Sequence, residues 1–315
     1  MPGPRTRLAA VIGDPVRHSL SPVMHNAAFR DLGLDWAYLA FEVPDGEAPA
    51  AVAGARALGL AGLSVTMPHK AAVVESLDRL SPVAAALGAV NTIVAGAGGA
   101  MVGDNTDGAG FVDALRQDEG FEPSGRRCLV VGAGGAARAV VKALADAGAA
   151  DIVVVNRTPA RAAAAALLAG AAGRVGAIGD VAGADLVVNA TPLGMSDVAG
   201  VGAEVRPIAG VEPGPEVDGP GVDGPAPTAP GLGVDPADLG PGQLVVDLVY
   251  HPPVTALVAA ARARGAVATG GLGMLIHQAA HAFRLWTGED PPLAVMSAAA
   301  MAELAVMGIL RERAG

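Results

Sequence analysis

Short, unbroken apolar runs alternate along this chain with longer stretches whose apolar positions recur at helical spacing. Runs at Leu8–Ile12, Tyr38–Val43, Gly62–Val65, Thr92–Ala95, Met101-Val102, Arg127–Val131, Ile152–Val155, Leu186–Asn189 and Leu244–Leu248 predict strands. Helices are expected from about Ser21-Pro22, over Ala48–Leu58, through Phe111–Gln117, and over Gly135–Ala147, Pro159–Leu168, Val254–Arg264 and Leu272–Thr287. Pro292–Leu310 reads as a last Ala/Met-rich helix that needs a partner surface. Strand and helix in alternation is the pattern of α/β sheets with parallel strands.

Two segments depart from this rhythm. Val83–Gly103 carries no charge and is long enough to span a bilayer, but Asn91, Thr92 and its glycines spoil an apolar helix, so it reads as buried strand and turn. Asp197–Pro241 holds eight of the 24 prolines within 201–240 and a single basic residue, Arg206, so it reads as a linker-like insertion without regular structure along most of its length. A regulatory docking segment is the alternative.

Composition narrows the classes. With 315 residues, 52% hydrophobic but only 3% aromatic, and 44 glycines, the chain builds its core from Ala, Val and Leu in one large or two ordinary domains. A net charge of −10 argues against nucleic acid or an anionic membrane as partner. Cys128 is the one cysteine, so no intrachain disulfide forms and a reducing, cytoplasmic setting is expected. No apolar segment follows the arginines of Met1–Leu8, so no secretory signal is expected. The histidines His25, His251, His277 and His281 are not grouped at metal spacing, and no metal is expected.

Gly132-Ala133-Gly134-Gly135-Ala136-Ala137 follows a strand and opens a helix. Glycines there permit a tight turn and close approach of a pyrophosphate to a helix N-terminus, the mark of a Rossmann dinucleotide fold. The next strand ends at Asn156-Arg157-Thr158, with Arg161 one turn on and no carboxylate to grip a ribose 2′-hydroxyl. Two guanidiniums and a hydroxyl suit a 2′-phosphate, so NADP is favoured over NAD. The plainer reading makes Arg157 and Arg161 solvated helix-end residues.

Among 21 basic residues only Lys70 and Lys142 are lysines. Arginine stays protonated, whereas a desolvated lysine can exchange a proton, so a lysine kept against this bias is a candidate for chemistry. Lys70 ends Gly62-Leu63-Ser64-Val65-Thr66-Met67-Pro68-His69-Lys70. Three more polar clusters fall at strand ends: Gly13–Pro22 with Ser19 and Ser21, Asn91-Thr92, and Gly103–Gly108 with Asp107. Two others are Asp247–Thr255 with Tyr250 and Gly271–Gln278.

In this order and with these residues the chain resembles the shikimate dehydrogenase family, over all but the 197–241 insertion. The resemblance implies two α/β domains around a cleft: an N-terminal substrate domain, residues 1–107 plus 274–315, and an NADP-binding Rossmann domain, residues 108–273. It implies NADPH-dependent, reversible reduction of 3-dehydroshikimate to shikimate, on the route to chorismate and the aromatic amino acids. Carried over by position, Ser19 and Ser21, helped by Tyr250, would bind the substrate carboxylate. Thr66, Asn91, Asp107 and Gln278 would hold ring hydroxyls, with Lys70 beside the reacting oxygen. Gly132, Ala133, Gly134, Gly135, Ala136, Asn156, Arg157, Thr158 and Arg161 match the NADP segments, and Thr191, Met195, Gly271 and Met274 flank the nicotinamide. Lys70 is assigned the proton transfer, with Asp107 orienting it and favouring its charged form.

Plainer roles stand beside these. Ser19 and Ser21 could cap a helix before Pro22, and Asn91 and Asp107 could be turn residues. His18 and His69 are expected to be structural or solvent-facing. The family commonly has Asn at the position of Ser64 and a polar residue at that of Gly270, which bears on loop geometry. A broader quinate/shikimate enzyme using NAD, a binding relative without turnover, and a folate-type dehydrogenase are the rival readings. Monomer and homodimer both stay open.

Overall fold

A computed structural model describes residues 3–195 and 232–314. The chain divides into two compact units, residues 1–113 with 274–315, and residues 114–273.

The first unit opens with β1 (Arg7–Gly13), α1 (Ser21–Asp31), β2 (Trp36–Glu42), α2 (Ala48–Ala57) and β3 (Gly62–Val65). After the turn carrying Lys70 come β4 (Arg79–Leu80), α3 (Pro82–Leu87), β5 (Thr92–Ala95), β6 (Met101–Asp104) and the start of α4 (Asp107–Gln117). The strands lie in the order β2-β1-β3-β5-β6-β4. One strand departs from the expected parallel pattern: β5 runs antiparallel to both β3 and β6. That reversal matters, since it brings the beginning of β5 to the edge where β1, β3 and β6 end.

The uncharged stretch 83–103 is likewise more varied than strand and turn. Residues 82–87 form α3, whose N-terminus is capped by Ser81 Oγ accepting from Ala84 N at 3.2 Å and whose end is turned by Gly88 at φ +55°. Pro82 in the first turn and glycine past the last are helix punctuation that the apolar tally hides.

In the second unit β7 (Arg127–Val131), α5 (Gly135–Asp146), β8 (Asp151–Val155), α6 (Pro159–Ala166), β9 (Gly173–Val175) and β10 (Leu186–Asn189) precede the undescribed segment. After it come β11 (Leu244–Asp247), α7 (Ala256–Ala263) and β12 (Val267–Gly270). All the strands are parallel in the order β12-β11-β10-β7-β8-β9, the doubly wound arrangement with its switch point between β7 and β10. Strands such as β7 and β10 are covered on both faces and so read as unbroken apolar runs.

Most of the linker-like stretch lies outside the described residues. Its last part does not behave as a linker. Leu232, Val234 and Leu239 are buried against Leu129, Val153 and Val245 in the core of this unit.

Two last helices return to the first unit: α8 (Leu272–Thr287), which begins at the boundary, and α9 (Leu293–Ala314). The scarce aromatics gather beneath α8, where Tyr38, Phe283 and Trp286 surround His25. Trp286 donates from Nε1 to the Ile93 carbonyl at 3.0 Å, and Gly62 makes room for it, since a Cβ there would stand 2.5 Å from Trp286 Cε2. The partner surface that α9 needs is α1. Among the described residues no helix is long and apolar enough to cross a membrane.

Candidate active site

Four segments meet at one edge of the first sheet. Lys70 lies past the end of β3, Asn91 immediately before β5, Asp107 at the start of α4 beyond β6, and Gln278 on α8. Lys70 Nζ donates to Asp107 Oδ2 at 2.5 Å, with the lysine side chain 20% and the carboxylate 6% exposed. Asn91 Nδ2 donates to the other oxygen, Asp107 Oδ1, at 2.7 Å and to Thr106 Oγ1 at 3.0 Å, and lies 3.5 Å from Gln278 Oε1. Asn91 Oδ1 accepts from Thr106 N at 2.8 Å and Thr92 Oγ1 at 2.9 Å. Lys70, Asp107, Asn91 and Gln278 thus form one connected chain, and Thr92 and Thr106, quoted in the motifs without a role, are what lock Asn91 in place. An ion pair this enclosed holds a fixed geometry that an exposed pair would not.

Ser19, Ser21 and Thr66 occupy neighbouring turns at the same edge. Ser21 N donates to Ser19 Oγ at 3.3 Å, and the N-cap of α1 is Leu20 with no side-chain capping bond, so neither serine serves as the cap. Thr66 packs against the bare Cα of Gly13, where a Cβ would collide with Thr66 Cγ2 and stand 3.1 Å from the Met67 carbonyl. Tyr38 OH donates to Ser64 Oγ at 2.7 Å. Burial raises the Tyr38 phenol well above its ordinary value, while bonds to Ser64 and Ser21 work against that rise. Ser64 therefore has a defined partner beneath the loop. His69 is buried with Nε2 at 2.7 Å from the Val43 carbonyl, and His18 is exposed, so neither joins the ion pair.

The glycine loop of the second unit sits at the switch point. Gly132 has φ +118°, and a Cβ on it would stand 2.8 Å from the Ala190 carbonyl after β10. Gly134 is the N-cap of α5 and offers no side-chain acceptor, so the first N–H groups of the helix are free to meet an anion. Ala133, Gly135 and Ala136 complete this turn. Arg157, Thr158 and Arg161 are exposed past β8, and Asn156 Nδ2 donates to the Thr158 carbonyl at 3.1 Å. A cradle that side chains would fill, an uncapped helix and two exposed guanidiniums without a carboxylate fit a dinucleotide bearing a 2′-phosphate.

Thr191 and Met195 lie on the turn after β10, Tyr250 on the turn after β11, and Gly271 after β12. Met195 is exposed, Tyr250 half-buried, and Met274 opens the returning segment of the first unit. Beneath these turns lies a group that the sequence motif Asp247–Thr255 contained without a role. Asp247, fully buried, accepts from Asn189 Nδ2, Val249 N and Thr255 Oγ1. Only the strand register, pairing Asn189 with Asp247, could have pointed to it.

Residues 11–93 match the model for the shikimate dehydrogenase substrate binding domain, 115–191 that for shikimate / quinate 5-dehydrogenase, and 271–301 that for the shikimate 5′-dehydrogenase C-terminal domain. The shikimate dehydrogenase (NADP(+)) of Moorella thermoacetica is 46% identical over 301 residues, covering 92% of this chain and 91% of that one. Among solved structures, the shikimate 5-dehydrogenase of Thermus thermophilus in complex with NADP(H) and shikimate is 36% identical, with a TM-score of 0.78 over 94% of this chain and 99% of that one. A quinate dehydrogenase of Corynebacterium glutamicum in complex with NAD is 32% identical, with a TM-score of 0.77 over the same shares. With matches running through both units, the chain belongs to the shikimate dehydrogenase family.

Proposed function

We propose that Lys70 and Asp107 are the proton-handling pair in the reaction of this family, the reversible NADPH-dependent reduction of 3-dehydroshikimate to shikimate. NADPH supplies the hydride that reaches the carbonyl carbon. As charge grows on the carbonyl oxygen, Lys70 Nζ delivers a proton to it, and the neutral amine is then reprotonated from solvent. In the other direction the amine takes the hydroxyl proton as hydride leaves. The observation that carries this reading is the 2.5 Å contact between Lys70 and Asp107, fixed from behind by Asn91. Asp107 holds the ammonium in one orientation, a condition for efficient transfer in either direction.

The remaining assignments are carried over from the family resemblance. Ser19 and Ser21, with Tyr250, bind the substrate carboxylate. Thr66 and Gln278 take ring hydroxyls, and a hydroxyl can replace the long contact between Gln278 and Asn91. Sites rich in such groups reject a ligand that leaves them unpaired. Gly132, Ala133, Gly134, Gly135 and Ala136 hold the pyrophosphate, and Asn156, Arg157, Thr158 and Arg161 the 2′-phosphate. Thr191, Met195, Gly271 and Met274 flank the nicotinamide.

The test is nicotinamide absorbance with purified protein, offering shikimate or quinate against NADP or NAD. Rapid reduction with shikimate and NADP alone is expected. Activity mainly with quinate or NAD would move the protein to the broader quinate/shikimate relatives, and no activity in any combination would overturn the reading.

A further inference from the structure

We propose that Asp247 is a positioning residue for hydride transfer: its buried carboxylate fixes, from one point, the turns that carry Thr191, Tyr250 and Gly271. The inference rests on the nicotinamide and substrate roles given to those residues above.

The connections are direct. Asn189 Nδ2 donates to Asp247 Oδ1 at 2.8 Å and to the Leu193 carbonyl at 3.0 Å, while Asn189 Oδ1 accepts from Thr191 N at 3.0 Å and Thr191 Oγ1 at 2.7 Å. Every hydrogen-bonding position of this amide is in use, so its orientation, and that of the Thr191 turn, is decided by the carboxylate. Val249 N also donates to Asp247 Oδ1, at 3.1 Å, which sets the turn one residue before Tyr250. The Val249 carbonyl in turn accepts from Gly271 N at 3.1 Å, and a Cβ on Gly271 would stand 2.5 Å from the Leu248 carbonyl carbon. Thr255 Oγ1 donates to Asp247 Oδ2 at 2.6 Å while capping α7 by accepting from Val258 N at 3.3 Å.

A carboxylate is costly to bury, and a Leu or Val at this strand end would pack there without that cost. Its retention makes sense where several loop donors must converge on one acceptor. Among the described residues none of its hydrogen bonds is with the glycine loop or with Asn156–Arg161, and it reaches that loop only through the Ala190–Thr191 turn that packs on Gly132, so its influence should fall mainly on the nicotinamide half of the cofactor.

The experiment compares Asp247→Ala and Asp247→Asn with the wild-type chain, reading kcat and KM with shikimate and NADP, affinity for 2′-phospho-ADP-ribose, and thermal melting. Asp247→Ala is expected to lower kcat by roughly tenfold or more and raise the KM for NADP, because it strands buried donors. Affinity for 2′-phospho-ADP-ribose should stay within about a factor of two, since that ligand lacks the nicotinamide. Asp247→Asn should recover most of the activity, its oxygen accepting from Asn189 and Val249 and its amide donating to Thr255 Oγ1. Unchanged kinetics in Asp247→Ala, parallel loss of 2′-phospho-ADP-ribose binding, or an Asn variant as poor as Ala would each overturn the inference. If the alanine protein does not fold, Asp247→Glu keeps the charge but displaces the carboxylate by a methylene, and it must lose kcat for the inference to stand. A wild-type chain inactive with shikimate and NADP would sink the proposed function instead, so the two failures are told apart.

Discussion

Gly110 on α4 lies so close to α8 that a Cβ on it would stand 2.6 Å from the Cα of Gln278. Backbone, not a flexible side-chain end, faces this glycine, so any larger residue must push the helix away. Gln278 would move with it, away from Asn91. Gly110→Ala is therefore expected to raise the KM for shikimate by roughly tenfold and to lower the melting temperature through an overpacking cost of about 1–3 kcal/mol. Steady-state kinetics and a thermal melt check both; an unchanged KM would mean that Gln278 does not touch substrate.

Lys70→Ala removes the proposed proton donor while leaving the second unit untouched. Turnover should fall by about 10²–10⁴, the usual worth of a positioned acid or base. NADPH binding, followed by its fluorescence, should stay at the wild-type level. Near-normal turnover would overturn the mechanism.

Arg157 offers its guanidinium past β8 without a carboxylate beside it in sequence. Arg157→Ala should raise the KM for NADP by about ten- to a hundredfold, as expected for a charged hydrogen bond worth roughly 1.5–3 kcal/mol, and leave that for NAD nearly unaltered. Equal effects on both coenzymes would argue against contact with the 2′-phosphate.

His25 is buried among aromatic rings and its Nδ1 has no partner among the described residues, and burial lowers its pKa from 6.5 to about 3. The unfolded chain takes up a proton below pH 6.5 that the native chain refuses until about pH 3. Unfolding is thus favoured progressively as pH falls through that window, by at most about 1.4 kcal/mol per pH unit from this one group, and the stabilisation is complete above pH 6.5. His25→Phe should flatten the dependence of denaturant midpoint on pH between about 6.5 and 4. An identical slope in both proteins would show that other groups dominate acid unfolding.

Much of the second unit was legible because its signals are local. The apolar run Cys128–Val131, the glycines after it and the helical spacing beyond them lie within one strand–loop–helix, and each is read without knowing what lies elsewhere. The strand Val267–Gly270 was missed because only a short turn separates it from the preceding helix and its apolar run is just Val267-Ala268 before Thr269 and Gly270. Leu232, Val234 and Leu239 were missed for the opposite reason. They are scattered apolar residues among Pro and Gly, and burial was visible only once the core they pack on was assembled.

The sequence by itself determined the strand–helix alternation of an α/β protein, the dinucleotide loop with its basic neighbours, and Lys70 as the lysine to watch. Each follows from periodicity, from glycine where a side chain would collide, or from a residue type chosen against the composition. Only the tertiary structure decided that β5 runs backwards and so delivers Asn91 to Asp107. It alone paired Asn91 with Gln278 and Asn189 with Asp247, residues distant along the chain. An apolar run records that a strand is buried, but its direction and neighbours are set by how the connections fold back across the sheet. Polar partners brought together by that register leave no mark in the local pattern of either one.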